Sequence, residues 1–511
     1  MKRWIAIVLV FLLSWSAIPK AAVARISPSQ SIQPYLVASW HSIADRVIQN
    51  VTEFRLENGL KFIVLERHQA PVVSFLTYAD VGGADEPDGK TGVAHFLEHL
   101  AFKGTSRIGT QNYAAEKPLL EKLDQLAAQI ETAKANGKDI KSLQAEFDRV
   151  EAEATRLGVQ NEFGRIVEQA GGVGLNANTS TDATRYFYSF PSNKLELWMS
   201  LESERFLDPV FREFYKEKAV ILEERRLRTE NSPIGQMIEA FVGTAFQVHP
   251  YKRPVIGSSK DIANLTRQDV QQFFETHYVP SNLTVAIVGD VNPTDVKRLA
   301  QIYFGRYAKK ADAPDVIAVE PAQTKARDVS LTLNSQPWYL EGYHRPALNH
   351  PDNVVYEAIA SLLSDGRTSR LYRSLIEEKQ LALAAQGING FPGNKFPTLM
   401  LFYALTSPGR SIEEVATALR TEIDRFKTEL VSVEDLDRVK TQARAGLVRS
   451  LDSNMGMAQL LLEYDVKTGS WRNLFKQIDA IAAITPADIQ RVAKATFTAE
   501  NRTIGRILPQ K

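Results

Sequence analysis

The chain has 511 residues, a formal net charge of +1 at pH 7 and no cysteine. This length is enough for two or three domains with full hydrophobic cores. Basic and acidic residues are scattered evenly and form no basic tract, which argues against a nucleic-acid-binding protein. Without cysteine, the chain has neither a disulfide nor a cysteine that could carry a lipid anchor.

Residues 1–24 have the pattern of a secretory signal peptide. Two basic residues precede an apolar run from Trp4 to Ile18, and Ala22-Val23-Ala24 is a cleavage site of the Ala-x-Ala type. The run is too short to cross a bilayer comfortably, and no later stretch approaches the length of a spanning helix. We therefore predict export to the periplasm or another extracytoplasmic space, with no membrane span after signal removal.

The next segments predict a β-rich start to the folded chain. Val51 to Leu56 and Leu60 to Leu65 are alternating runs on either side of Asn58-Gly59, a strong signal for a hairpin turn. Val72 to Val81 is predicted to add another strand. Helical patterns follow further along, including residues 194–206 and 269–277, so this part of the chain is α+β.

His95-Phe96-Leu97-Glu98-His99 is a candidate metal site. If residues 91–102 form a helix, the two histidines share one face and Glu98 lies beside them. Two imidazoles beside a carboxylate are what a hydrolytic zinc ion needs, and His-x-x-Glu-His is a known zinc-peptidase spacing. The chain has only eight histidines, so a pair of ordinary surface histidines is the weaker interpretation.

Two helical patterns follow this motif. Their apolar residues recur at three- and four-residue spacings, and Asn136-Gly137 separates them. We predict a helical hairpin at about residues 114–157, with a thin apolar seam and charged outer faces. A surface hairpin that packs on itself explains the pattern; the functional alternatives are a docking arm for another subunit and a wall that limits access to the site.

A catalytic zinc ion takes three protein ligands and leaves a fourth position for water. The acid-rich segment 214–224 offers candidates for the third ligand. Glu217 and Glu224 are seven residues apart and share a helix face, whereas Glu223 points about 100° away from Glu224. An ordinary charged helix is the simpler interpretation of this segment taken alone.

The run Gly92 to Thr105 resembles the active-site helix of the pitrilysin/insulinase family of zinc peptidases, closest to the mitochondrial-processing-peptidase type. Residues 176–180, Asn-Ala-Asn-Thr-Ser, followed by Thr184 to Tyr188, are similar to the family's Asn-Ala-x-Thr strand pair. The stretch from Glu217 to Glu224 resembles its Glu-x6-Glu element. The resemblance covers about residues 48 to 511.

This resemblance implies a zinc endopeptidase that acts on peptides or unfolded protein segments. It implies one Zn²⁺ per chain, held by His95, His99 and Glu224. Glu98 would be the base that takes a proton from the attacking water, and Glu217 would orient a ligand. Asn176 and Ala177, on a candidate edge strand, would pair with an extended peptide by strand addition.

The second half departs from the family pattern. Self-sufficient members carry an Arg and a Tyr seven residues apart, which hold the substrate carbonyl; Ile376 and Leu383 stand at those places and cannot donate hydrogen bonds. In the family, a chain with the zinc ligands but without the Arg/Tyr pair combines with a second chain that carries the pair. The resemblance therefore implies a homologous partner subunit that supplies the Arg/Tyr clamp. Arg367, Arg370 and Arg373, at helical spacing, are another source of donors, although a solvated helix face is the simpler interpretation.

A repeat divides the chain into two halves. Leu265 to Phe273 reappears as Ile484 to Val492, and Asn282 to Ile287 reappears as Asn501 to Arg506. The offsets agree, since 485 minus 266 and 501 minus 282 are each 219. In each copy a Thr-x-x-Asp cap opens a helix that leads into a strand.

We predict a leader at residues 25–47, a zinc-binding half at 48–308, a linker at 309–325 and a homologous half without a metal site at 326–511. The fold class is α+β. The resemblance implies that each half is an antiparallel sheet packed with helices, and that the halves face each other around a chamber.

Two other functions fit part of the pattern. One is a catalytically idle structural or chaperone-like subunit, like the core proteins of the respiratory cytochrome reductase. An idle relative is free to lose metal ligands, whereas this chain keeps the whole set. The other is a maturation protease for one dedicated small peptide, such as a cofactor precursor, which shares the chemistry and differs only in substrate.

Overall fold

The computed structural model describes Asp45 and residues 47–510. The predicted signal peptide lies outside the described residues, and so does the predicted leader apart from Asp45 and Val47. No helix in the described part of the chain is long and apolar enough to cross a membrane.

The first half is built on a six-stranded sheet. Its strands are β1 (Val51–Arg55), β2 (Lys61–Glu66), β3 (Val72–Ala79), β4 (Val173–Thr179), β5 (Thr184–Pro191) and β6 (Leu283–Gly289). Their spatial order is β1-β2-β6-β3-β5-β4. The hairpin predicted at Asn58-Gly59 is confirmed: Arg55 of β1 pairs with Lys61 of β2. Gly59 has a φ of 101°, a conformation that glycine adopts at little cost.

The second half is built on a five-stranded sheet. Its strands are β7 (Arg327–Leu333), β8 (Trp338–Arg345), β9 (Ala382–Phe391), β10 (Thr398–Thr406) and β11 (Arg502–Pro509). The order β7-β11-β8-β10-β9 repeats the order β2-β6-β3-β5-β4 of the first sheet. The prediction of two homologous α+β halves is therefore confirmed, with β1 as an extra strand of the first half.

The prediction that both sheets are antiparallel needs a correction. β6 runs parallel to β2, and β11 runs parallel to β7, whereas the other neighbours are antiparallel. The last strand of each half enters between two strands that already run in opposite directions. A strand in that place must be parallel to one neighbour and antiparallel to the other.

From Val93 onward, where every residue of the first half is described, this half contains ten α-helices. They are α1 (Val93–Leu100), α2 (Tyr113–Ala135), α3 (Lys141–Leu157), α4 (Glu162–Gln169), α5 (Leu195–Leu207), α6 (Phe214–Arg225), α7 (Pro233–Ala245), α8 (Ser259–Asn264), α9 (Arg267–His277) and α10 (Pro293–Tyr303). The predicted helical hairpin is present as α2 and α3, whose apolar seam includes Leu126, Ile130 and Val150. Residues 308–324, which lead to the second half, form neither helix nor strand.

The second half contributes α11 (Asn353–Ser364), α12 (Ile412–Thr428), α13 (Val433–Asp452), α14 (Asn454–Thr468), α15 (Asn473–Ala483) and α16 (Pro486–Thr496). Both predicted caps are present as capping boxes, Thr266 with Asp269 before α9 and Thr485 with Asp488 before α16. The helical hairpin has no counterpart here, because only residues 365–381 connect α11 to β9.

The two halves interlock by exchanging helices. Helix α7 of the first half contacts β7 and β11, while α14 of the second half contacts β3 and β6. Phe241 of α7 lies so close to the second sheet that a Cβ on Gly342 would come within 2.8 Å of its ring, and one on Gly505 within 2.9 Å. Because these two positions are glycines, α7 can pack closely against the second sheet. A buried ion pair of 2.8 Å between Lys61 and Asp465 links β2 to α14.

We predict that Phe241→Ala lowers the free energy of unfolding by about 3–5 kcal/mol, because it removes a fully buried ring from the contact between the halves. Urea unfolding followed by circular dichroism measures the change. Ile302→Ala is the matched control on α10, since its side chain is 52% exposed and should lower stability by no more than about 0.5 kcal/mol. Equal effects of the two substitutions would contradict this packing.

Candidate metal centre

Helix α1 holds the motif His95 to His99 with its polar groups away from the core. Its apolar residues are buried: Val93, Ala94, Phe96, Leu97 and Leu100. His95, Glu98 and His99 are each only partly buried on the remaining face. The carboxylate of Glu86 accepts hydrogen bonds of 2.9 Å from the backbone N–H groups of Gly92 and Ala94 and so caps the start of the helix.

Helix α6 brings Glu224 to the two histidines. One donor atom from each of His95, His99 and Glu224 lies within 4.8 Å of the others. Glu224 oxygens lie 3.9 Å from Nε2 of His95 and 3.6 Å from Nε2 of His99. These separations are too long for hydrogen bonds but suit three ligands that each lie about 2 Å from one shared Zn²⁺.

His95 has the protonation state that a zinc ligand requires. Burial, followed by the charges of His99 and Arg228, lowers the pKa of His95 to about 3. The imidazole is therefore neutral at neutral pH, which is the form that binds metals. The buried Nδ1 of His95 has no hydrogen-bond partner among the described residues. Two imidazoles and one carboxylate make a donor set that fits Zn²⁺.

Glu217 lies directly behind His99. Nδ1 of His99 donates to Oε2 of Glu217 at 3.2 Å, because an ionised carboxylate can only accept, and Nε2 is directed at Glu224. Burial lowers the pKa of His99, but the hydrogen bond to Glu217 and the charges of Glu224 and Glu217 outweigh it and raise that pKa overall. In the neutral ring, Nε2 is the unprotonated nitrogen. Lys103 lies 2.5 Å from the other Glu217 oxygen. Burial raises the pKa of Glu217, but the hydrogen bonds from His99 and Lys103 outweigh it and lower that pKa overall. Glu217 is thus an ionised acceptor that orients His99.

Glu98 lies beside His99 at the same cavity, and a residue of the sheet holds one of its oxygens. Thr179 at the end of β4 donates to Oε2 of Glu98 at 2.5 Å. Burial raises the pKa of Glu98 and the charge of Glu224 adds to the rise, while the bond from Thr179 and the charge of His99 oppose it. A carboxyl group with a raised pKa is suited to take up and return a proton.

Asn176 and Ala177 lie on the edge strand β4, as predicted. Asn176 is exposed, and its side-chain oxygen accepts from the backbone N–H of Ala177 at 2.9 Å. Both residues line a cavity that Glu98 and His99 also line. The structure therefore brings a free strand edge to the metal centre, which is the arrangement that strand addition requires.

Three partners of the site residues were not singled out from the sequence: Thr179, Lys103 and Arg228. Arg228 lies 2.6 Å from Oε1 of Glu224 and is four residues after it. Lys103 is likewise four residues after His99. A search for charged residues one helical turn from each candidate could have found both, whereas Thr179 meets Glu98 only through tertiary structure.

The alternative clamp residues of the second half do not lie at this cavity. Arg367 lies in a turn, not on the predicted helix face. Arg370 and Arg373 line a separate polar cavity of about 280 Å³, formed by second-half residues such as Glu422 and Asp435. The two cavities share no lining residue, so these arginines do not border the cavity that Glu98 and His99 line.

Two family models match the chain. Residues 61–134 and 145–259 match the model described as insulinase, peptidase family M16. Residues 264–443 match the model described as peptidase M16 inactive domain. Residues 135–144, between the first two matched segments, comprise the end of α2, the connection and the start of α3.

Relatives extend the match over most of the chain. A Helicobacter pylori protein named zinc protease PqqE is 30% identical over 81% of this chain and 82% of its own length. A protein from Arabidopsis thaliana named probable mitochondrial-processing peptidase subunit beta is 22% identical over 89% of this chain and 77% of its own length. The crystal structure of a protease from Helicobacter pylori has a TM-score of 0.77 and 28% identity, and the match covers 90% of this chain and 99% of that one.

The geometry of α6 predicts a graded loss of zinc affinity. Glu224→Gln should weaken binding most, because it changes a donor atom. Glu217→Gln should weaken it by about 10–100-fold through the orientation of His99. The matched control is Glu223→Gln: this side chain is 51% exposed and paired with Arg226, whereas that of Glu224 is 18% exposed. Competition titration with a zinc chelator measures the zinc affinity of all three variants. A large loss of affinity with Glu223→Gln would refute the assignment of Glu224 as the ligand.

Proposed function

Because this chain belongs to the insulinase family of peptidases, family M16, we propose that it is a zinc endopeptidase that cleaves peptides or unfolded protein segments. The observation that carries the proposal is the meeting of His95, His99 and Glu224 beside Glu98. The name zinc protease, carried by the relative from Helicobacter pylori, agrees with this activity.

The proposed reaction is hydrolysis of a peptide bond with Glu98 as the proton carrier. When bound, Zn²⁺ makes a water molecule more acidic and polarises the substrate carbonyl. The hydroxyl of Thr179 holds Oε2 of Glu98, and in this proposal Oε1 takes a proton as the water oxygen attacks the carbonyl carbon. Glu98 then delivers this proton to the amide nitrogen as the C–N bond breaks. A positioned base of this kind contributes about 10²–10⁴-fold in rate.

The surrounding residues hold this arrangement. Glu217 keeps His99 in the tautomer whose Nε2 is unprotonated, and Arg228 holds the carboxylate of Glu224. Asn176 and Ala177 would pair with the backbone of an extended substrate. Pairing through the backbone selects extended, unfolded segments more than any particular side chain.

We also propose that the chain is exported, on the basis of the signal-peptide pattern in residues 1–24.

A catalytically idle subunit is the alternative function. The complete donor set of the first half argues against it, because an idle chain has no need to keep two histidines, Glu224, Glu98 and Glu217 together. A maturation protease for one small peptide would use the same centre.

We predict that Glu98→Gln abolishes peptide hydrolysis while zinc content stays near one ion per chain, because Glu98 moves protons and does not bind the metal. His95→Ala is the contrasting variant and should lose zinc and activity together. A fluorogenic peptide library and elemental analysis measure the two properties. Hydrolysis by the Glu98→Gln protein, free of contaminating protease, would refute the mechanism.

We further propose a homologous partner subunit that supplies an Arg/Tyr clamp for the substrate carbonyl. Ile376 and Leu383 stand where the clamp is expected; Ile376 packs against the core of the second half, and Leu383 is on β9 with 53% of its side chain exposed. Neither can donate a hydrogen bond. The metal centre is complete, so the chain has not simply lost its function.

The isolated chain should therefore be a poor peptidase that gains activity when the homologous subunit is added. Each missing donor to the carbonyl oxygen is expected to lower the rate by about 10²–10³-fold, by analogy with oxyanion donors. Peptide cleavage is compared with and without the subunit, with the oligomeric state followed by light scattering. A monomeric chain with kcat/KM of about 10⁴ M⁻¹s⁻¹ or more, normal for a complete enzyme, would rule the partner out.

A further inference from the structure

The second half contains a polar cavity that the proposed reaction does not use. It has a volume of about 280 Å³, and α11, α12, α13 and the segment that follows α11 contribute to its lining. Four arginines line it: Arg370, Arg373, Arg425 and Arg438. Three carboxylates do so as well: Glu378, Glu422 and Asp435.

Two of these carboxylates are already paired with arginines of the lining. Arg425 lies 3.1 Å from Glu422 on α12, and Arg438 lies 3.1 Å from Asp435 on α13. The third carboxylate, on Glu378, belongs to an exposed residue. The side chains of Arg370 and Arg373 form no ion pair within the described chain. The partly buried lining is therefore left with the charge of Arg370 uncompensated.

Two guanidinium nitrogens of the lining are buried without an acceptor. Nη1 of Arg370 and Nη1 of Arg438 each have no hydrogen-bond partner among the described residues. A buried charged donor without an acceptor is costly to the folded state and calls for an explanation. An oxyanion in the cavity would offer acceptors to both nitrogens, and the fork of a guanidinium group matches the oxygens of a phosphate group.

Arg370 is held in place by packing on a ring. Its Cζ lies 4.2 Å from the ring centroid of Phe426, and such stacking fixes the plane of the guanidinium group. Burial lowers the pKa of Arg370, the charge of Arg425 lowers it further, and carboxylates such as Glu422 and Asp435 oppose this. The nearby cation acts on Arg370 more strongly than either of these carboxylates. Two fixed cations side by side are suited to share one anion.

Part of the lining comes from a π-helix, Tyr372–Glu378, three of whose residues line the cavity. Turns of π-helix are rare and occur frequently at functional sites. The other π-helix in the described part of the chain, Arg226–Glu230, follows α6 and carries Arg228, which holds Glu224 of the metal centre. On the second-half π-helix, the hydroxyl of Ser374 gives the cavity a further hydrogen-bond donor.

We propose that this cavity binds a phosphate-type oxyanion, with Arg370 and Arg438 as its main ligands and Arg373 on its exposed side. Inorganic phosphate and a phosphomonoester both offer the required chemistry, which is a tetrahedral anion with several acceptor oxygens. All the lining residues belong to the second half. The site is therefore separate from the metal centre, and the inference does not depend on the proposed peptidase function.

Isothermal titration calorimetry of the zinc-loaded protein with inorganic phosphate, at constant ionic strength, tests this inference. We expect one saturable site per chain. Arg370→Gln should weaken binding about tenfold or more, because a hydrogen bond between charged groups is lost. Arg373→Gln, at an exposed position where folding is not at risk, should also weaken it. The matched control is Arg367→Gln, since this exposed arginine does not line the cavity, and it should leave the affinity unchanged.

Two further titrations separate this site from other anion sites and identify its ligand. Removing zinc with a chelator should leave the phosphate affinity unchanged, because the cavity contains no metal ligand. Glycerol phosphate replaces inorganic phosphate in the second titration: binding about tenfold tighter indicates a phosphomonoester as the ligand, and equal or weaker binding indicates inorganic phosphate.

The absence of saturable binding of both anions would overturn the inference. So would binding that Arg370→Gln and Arg373→Gln leave unchanged, or binding that is lost with zinc. An equal loss of affinity with Arg367→Gln and Arg373→Gln would show a general effect of surface charge and would also overturn it.

Discussion

The contact between Phe96 and Phe214 joins the two helices that carry the metal donors. The two buried rings are stacked, with centroids 4.7 Å apart and planes 17° from parallel. Phe96 is next to His95 on α1, and Phe214 begins α6, which carries Glu217 and Glu224. Stacked aromatic rings in a close-packed core allow little sliding. Hydrophobic packing therefore holds the helix that carries the histidines against the helix that carries the carboxylate.

Around this contact, Glu98, His99 and Glu224 are each held by a second residue. Thr179 fixes one oxygen of Glu98, Glu217 fixes His99, and Arg228 fixes Glu224. These supports come from β4, α6 and the segment after α6, so the sheet and both helices must be in place for the centre to have its geometry. The exchange of α7 and α14 between the halves adds a rigid frame, because each sheet is covered in part by a helix of the other half.

Local patterns in the sequence predicted much of the fold and of the metal centre. The spacing of His95, Glu98 and His99, the Asn58-Gly59 turn, the helical hairpin and the two Thr-x-x-Asp caps each depend on residues close together in the chain, where helix and turn geometry are well determined. The parallel pairs β2–β6 and β7–β11 could not be predicted in this way, because they depend on which strands meet across more than a hundred residues. The cavity that Arg370 and Arg438 line and the bond from Thr179 to Glu98 depend on tertiary packing for the same reason.

The proposed function depends above all on one zinc ion held by His95, His99 and Glu224. An anomalous-scattering map from crystals of the zinc-loaded protein tests it most directly. We expect a single strong peak in contact with Nε2 of both histidines and a Glu224 oxygen, with Glu98 nearby but not bound. A peak on Glu223, a ligand from the second half, or no peak at these residues in zinc-loaded crystals would contradict it.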